Sequence, residues 1–159
     1  MEKPSKSVLV GVDGSEPARI ALSVAIDYSK RYGARLLIVA ICALPSMPYL
    51  RGIPAYPQTI THFPDFSPKV PKDIESNMSS LLKEYERDAE KAGVIAVESK
   101  IIPVWNTIGW GLVKEAETQH CSIVIIGSRG LTGIKRTLLG SVADYVVKNA
   151  PCDVLIIRG

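Results

Sequence analysis

A chain of 159 residues, 47% hydrophobic and 22% charged, can bury one sizeable core without metal or disulfide staples, and its composition excludes a fibre or a fully disordered chain. The formal net charge of +3 suits an anionic ligand, but no basic stripe interleaved with aromatics is present, so nucleic acid is not an expected partner. No apolar run approaches bilayer length, which excludes a helical membrane span and leaves no membrane partner to expect.

The N-terminus, MEKPSKSVLVGVDGSEP, starts polar and lacks the long apolar region of a secretory signal, so the cytoplasm is the expected compartment. SVLVGV at positions 7–12 reads as a strand. The helix that follows runs to Tyr32, with Ile20, Val24, Ala25 and Tyr28 at helical spacing. Ser15 suits its N-cap, Pro17 its first turn, and Gly33 the left-handed position that ends it. RLLIVAIC, from Arg35 to Cys42, is continuously apolar, as in a strand covered on both faces.

From Ala43 to Asp73 the chain carries seven prolines, with Tyr49, Tyr56, Phe63 and Phe66 between them, which excludes a regular helix or central strand over most of the segment. It reads as a long loop or insertion that packs on something. Lys72 to Ala92 is the clearest helix, with Ile74, Met78, Leu81, Leu82, Tyr85 and Ala89 on one face and Gly93 at its end. VIAVESKII, from Val94 to Ile102, reads as an edge strand. A weaker helix over Ile108–Gln119, the buried strand CSIVII, a helix from Ser141 to Asn149 and a last strand DVLII complete the chain. Strands alternating with helices predict one α/β domain over residues 1–159, an open parallel five-stranded sheet with helices on both faces. Ligands of such sheets sit beyond the C-terminal strand ends, where strand order reverses.

Two strand-end features carry the candidate chemistry. Asp13, just past the first strand, could accept hydrogen bonds from ribose hydroxyls or an adenine amine, or simply form an Asx turn; spacing leaves both open. GSRGLTGIKRTLLGS, from Gly127 to Ser141, lacks the lysine of a Walker A loop. Gly127, Gly130 and Gly140 could admit a phosphate or ribose to the backbone, or could answer turn geometry. Ser141 would cap the last helix, with Asp144 completing a capping box, and the helix N-terminus would favour an anion. Arg129, Lys135 and Arg136 supplement those amides or form a solvated basic face. Cys42, Cys121 and Cys152 form no CxxC pair, and with His62 and His120 dispersed no metal site is expected. Ser128 and Ser141 have no evident base, so no catalytic set emerges.

The chain resembles the ATP-binding branch of the universal stress protein family. The likeness rests on VLVGVDGS, LLIVAI and SIVIIGSRGLTGIKRTLLGSVADYVVKNAPCDVLII, in which Gly127, Gly130, Gly140 and Ser141 occupy every fixed position of the family's C-terminal glycine pattern. It implies a Rossmann-like sheet of order 3-2-1-4-5 and ATP, with Mg2+, as ligand. It places Asp13 by the adenosine, the backbone near Ile41 on the adenine and Gly127 near the ribose. Gly130, Gly140, Ser141 and the Val142 amide would hold the phosphates, with Arg129 in the same loop. Val39 and Ala40 fall near the base. The sequence departs from the family pattern in IPVWNTIGWG, where Asn106 stands for glycine, tolerating left-handed backbone, and Ile108 for proline. The likeness also implies a homodimer through the last strand. The resulting function is a nucleotide-dependent stress-response or signalling module; a non-nucleotide dimeric scaffold and a slow ATPase or phosphotransferase are the alternatives.

Overall fold

The computed structural model describes residues 6–44, 69–129 and 139–158, so most of the proline-rich segment, together with Gly130, Lys135 and Arg136, lies outside the described residues. Nine elements follow in the order β1 (Ser7–Gly11), α1 (Glu16–Tyr32), β2 (Arg35–Ala43), α2 (Lys72–Lys91), β3 (Val97–Val104), α3 (Ile108–Thr118), β4 (Ile123–Gly127), α4 (Ser141–Asn149) and β5 (Asp153–Ile157). The strands form one parallel sheet of order β3-β2-β1-β4-β5, the expected Rossmann-like arrangement.

Alternation along the strands divides the core in two. Val8, Val10, Leu36, Ile38, Ile123 and Ile125 face α1 and α2, while Leu9, Leu37, Val39, Val124 and Ile126 face α3 and α4. Each central strand is therefore apolar on both sides, which explains its unbroken hydrophobic run. Chain order reverses between β1 and β4, so their C-terminal ends open a crevice with α1 leaving on one face and α4 approaching on the other.

Several local expectations are corrected. Helix α1 buries Ala18, Ala21, Leu22, Ala25, Ile26 and Ser29, whereas Ile20 lies 36% exposed. Four of these six buried residues are alanine or serine, so the helix lies close on the sheet. In α2, Leu82, Tyr85 and Ala89 are buried as expected, but Ile74 is 40% exposed. Strand β3 starts later than read, because Val94 instead buries itself after the turn at Gly93, whose φ is +96°, and Ile95 is exposed. The strand then pairs from Leu36↔Val97 to Ala43↔Val104. Pro103 is tolerated because β3 is a sheet edge, where a missing amide breaks no second ladder. Asn106 does not use left-handed backbone; its side chain accepts from Thr107 N at 2.8 Å, and Thr107 caps α3 through Trp110 N at 3.3 Å. His120 takes the left-handed position, φ 50°, closing the C-terminus of α3.

The two sheet edges differ in chemistry. On β3, Lys100 pairs with Glu115 of α3 at 2.7 Å and with Glu98 at 3.6 Å, and Glu98 also meets Arg35 at 3.6 Å. On β5, by contrast, Val154, Ile156 and Ile157 are half-buried and Leu155 is 36% exposed.

Four partly buried groups share one sign of proton linkage. Burial pushes the Tyr85 phenol and the Cys121 and Cys152 thiols up; burial opposes the Lys100 charge, but the Glu115 and Glu98 pairs outweigh it and raise this group too. A group raised in the folded state contributes stability below its ordinary value and loses it as pH climbs through the folded value. The urea midpoint is therefore expected to fall from about pH 9 upward, and a midpoint unchanged to about pH 11 in equilibrium unfolding would contradict these assignments.

Candidate functional site

Where β1 and β4 part, a cleft of about 360 Å³ opens above their C-terminal ends. Its apolar end is formed by Val39, Ile41, Ile108, Leu112 and Ile126, and its polar end by the β1–α1 turn and the start of α4. Asp13, Ile41, Gly127, Arg129, Gly140, Ser141 and Val142 all line this cavity, although they come from four separate parts of the chain. Ala40 does not belong with them: strand alternation turns it to the α1–α2 core, opposite Val39 and Ile41.

The turn after β1 is held by its own side chains. Asp13 Oδ1 accepts from Ser15 N at 2.9 Å, so the Asx turn is present, and Ser15 Oγ accepts from Ala18 N at 3.3 Å as the N-cap of α1. That helix end is thus capped from within the chain.

Helix α4 begins differently. Its N-cap is Gly140 and not Ser141, which is the first helical residue, and no side chain caps it. The expected capping box is absent: Asp144 carries no back-bond and pairs with Lys148 at 2.8 Å, while the Gly140 amide donates to Ser128 O at 2.9 Å. Asp144 N is the first intrahelical donor, onto Gly140 O, so the amides of Ser141, Val142 and Ala143 have no acceptor inside the helix. All three residues line the cleft. Asp13 and Arg129 are the charged residues among its described lining.

Both described glycines of the loop have packing reasons. A Cβ on Gly127 would lie 2.9 Å from Pro17 Cβ and 3.1 Å from its carbonyl carbon, so α1 sits directly on the end of β4. A Cβ on Gly140 would lie 3.1 Å from Ser128 O. Sequence reasoning missed Gly11, Leu112, Ile126 and Ser128 as lining residues. Their signal was available in part: they sit at strand ends or on the α3 turn facing them, but which α3 face turns inward depends on packing.

Among the described residues there is no group of three or more His, Cys, Asp or Glu that could hold a metal ion, and no helix is long and apolar enough to cross a membrane. The profile of the Universal stress protein family matches residues 4–158. A Staphylococcus saprophyticus protein bearing the universal stress protein name is 32% identical over 161 residues, covering 96% of this chain and 83% of the relative. Among solved structures, a universal stress protein in complex with cAMP superposes with a TM-score of 0.67 at 22% identity, covering 98% of each chain. The universal stress protein from Archaeoglobus fulgidus in complex with dAMP superposes with a TM-score of 0.68 at 18% identity, covering 96% of this chain and 97% of that one. Because the family profile takes in every strand and helix from β1 to β5, the chain belongs to the universal stress protein family.

Proposed function

We propose that this protein is a regulatory module, a single domain acting in the cytoplasm, that binds an adenine nucleotide, with ATP as its ligand, in the cleft between β1 and β4. The uncapped N-terminus of α4 carries this reading. An anion there would receive the Ser141, Val142 and Ala143 amides and the positive end of the helix, a site that α1 already fills with Ser15. The aliphatic end of the cleft, with Val39 and Ile41, suits a flat base, and Asp13 keeps acceptor capacity for a ribose hydroxyl beyond its bond to Ser15. Arg129 adds positive charge at the polar end, and Gly130 completes the loop in this reading. The cAMP and dAMP complexes of structurally similar family members support the choice of an adenine nucleotide.

The residues fit the nucleotide better than they fit a magnesium ion held by protein. Asp13 is the one carboxylate among the described lining residues, and one of its oxygens is already engaged. Magnesium in this reading travels on the phosphates and is not required for binding. Among the described residues no base is placed for hydrolysis: His120 ends α3 at the terminus opposite Ile108, which lines the cleft. In this reading the site holds a nucleotide rather than cleaving it, and a homodimer through β5 would carry the occupied state to a partner.

The test is a calorimetric titration of nucleotide-free protein with ATP, in magnesium and in EDTA, followed by chromatography of the bound ligand after long incubation. Saturable binding in both buffers with intact ATP is expected. No binding in either buffer overturns the proposal, and conversion to ADP restores the ATPase reading.

A further inference from the structure

Helix α3 touches both ends of the cleft through two glycines. Residues two apart on a helix point to nearly opposite sides, and Gly109 and Gly111, both buried, are spaced that way. A Cβ on Gly111 would lie 2.9 Å from Ile41 Cγ2 and 3.1 Å from Ile41 Cδ1, against the apolar end of the cleft. A Cβ on Gly109 would lie 2.9 Å from Tyr145 Cβ and 3.1 Å from its Cγ, on α4. Between them, Ile108 and Leu112, four apart and so on one face, line the cleft itself.

We infer that α3 is the spacer that sets the relative position of the two ends of the site, with Gly111 positioning Ile41 and Gly109 positioning α4. The inference rests on the nucleotide reading. Its physical basis is the kind of atom each new methyl would strike. At Gly111 it meets a side chain whose branches form the base-facing wall, so the wall must move. At Gly109 it meets Tyr145 Cβ, which is fixed to the α4 backbone and cannot swing aside. Tyr145 lies one turn beyond Ser141, and a short rigid helix transmits a displacement to its own first amides. The glycines thus act through other residues and touch no ligand in this scheme.

The two positions predict different ligand signatures, read by calorimetry with adenosine, which has a base and ribose only, and with ATP. Gly111→Ala is expected to weaken both ligands by about tenfold, leaving their affinity ratio unchanged. Gly109→Ala is expected to weaken ATP by about tenfold and adenosine by less than about threefold. In the double variant Ile41→Ala, Gly111→Ala the two nearest struck atoms are gone and only the 3.2 Å approach to Val104 Cγ1 is left, so its loss is expected to be smaller than the sum of the two single losses. Thermal melts monitor folding; if Gly109→Ala does not fold, the Gly111 arm and its double variant decide alone. Folded variants with wild-type affinities, equal losses of both ligands in Gly109→Ala, or strictly additive losses in the double variant overturn the spacer role. Wild type that binds neither ligand overturns the nucleotide reading itself and this inference with it.

Discussion

Replacing Gly140 by aspartate is expected to lower ATP affinity by about a hundredfold or more while leaving the melting temperature nearly unchanged. An aspartate at the N-cap supplies its own acceptor to the Val142 or Ala143 amide and sets a negative charge where the phosphates would lie. Hydrogen bonds to charged groups contribute roughly 1.5–3 kcal/mol each, so losing two accounts for the drop. For stability the effects nearly cancel. The new cap favours the helix by a few tenths of a kcal/mol over glycine, and the Cβ crowds Ser128 O at 3.1 Å. Calorimetric titration beside a thermal melt checks both halves. Near-wild-type ATP affinity would show that no anion uses this helix end.

Gly127→Val is expected to act in the opposite way, costing about 3 kcal/mol of stability, or roughly 6–12 °C in melting temperature. The added carbon would meet Pro17 at 2.9 Å, and the other near atoms are Pro17 backbone. Proline has no rotamer by which to retreat, so the first turn of α1 must lift from β4. Urea unfolding measures the loss; a change below about 0.5 kcal/mol would mean that α1 is not seated on the strand as described. Together the two substitutions separate a glycine needed for what the helix end leaves unfilled from one needed for close contact.

The sheet was legible because its strands are buried on both faces and announce themselves as unbroken apolar runs, such as RLLIVAIC. Its order came from family resemblance, since strand sequence says little about neighbours. Helix faces were less legible where contact is closest. In α1, Ala25 is buried as read, but Ile20 lies exposed and Val24 and Tyr28 are only half-buried; the buried face adds Ala18, Ala21, Leu22, Ile26 and Ser29, mostly small side chains that let the helix lie close to the sheet. The start of β3 was misplaced for a related reason: Val94 is apolar because it anchors a turn, and pairing with β2 begins at Val97.

At the site, Asp13, Gly127, Arg129, Gly140 and Ser141 were singled out from strand ends and motif spacing, Ile41 and Val142 only from the family resemblance, and the fold gathers all seven on one cleft. The assignment of the cap to Ser141 failed because serine is the commoner cap, and the packing that reserves position 140 for glycine comes from Ser128, twelve residues earlier and on another element's end. Of α3, the family pattern flagged only Ile108, and the rest of its contribution was not visible. Ile108 and Leu112 enter the cleft only because Gly109 and Gly111 let the helix settle between β2 and α4.

The unlike edges of the sheet bear on how copies of this chain can associate. A parallel sheet that offered sticky strands on both flanks could add subunits head to tail without end, the geometry of a fibre. Here the β3 flank is interrupted by Pro103 and studded with the ionised side chains of Lys100 and Glu98, a surface that resists strand addition. Only the β5 flank is short and aliphatic. In the proposed homodimer, pairing of the two β5 flanks about a two-fold axis would be self-terminating, because the β3 flanks left outside resist strand addition.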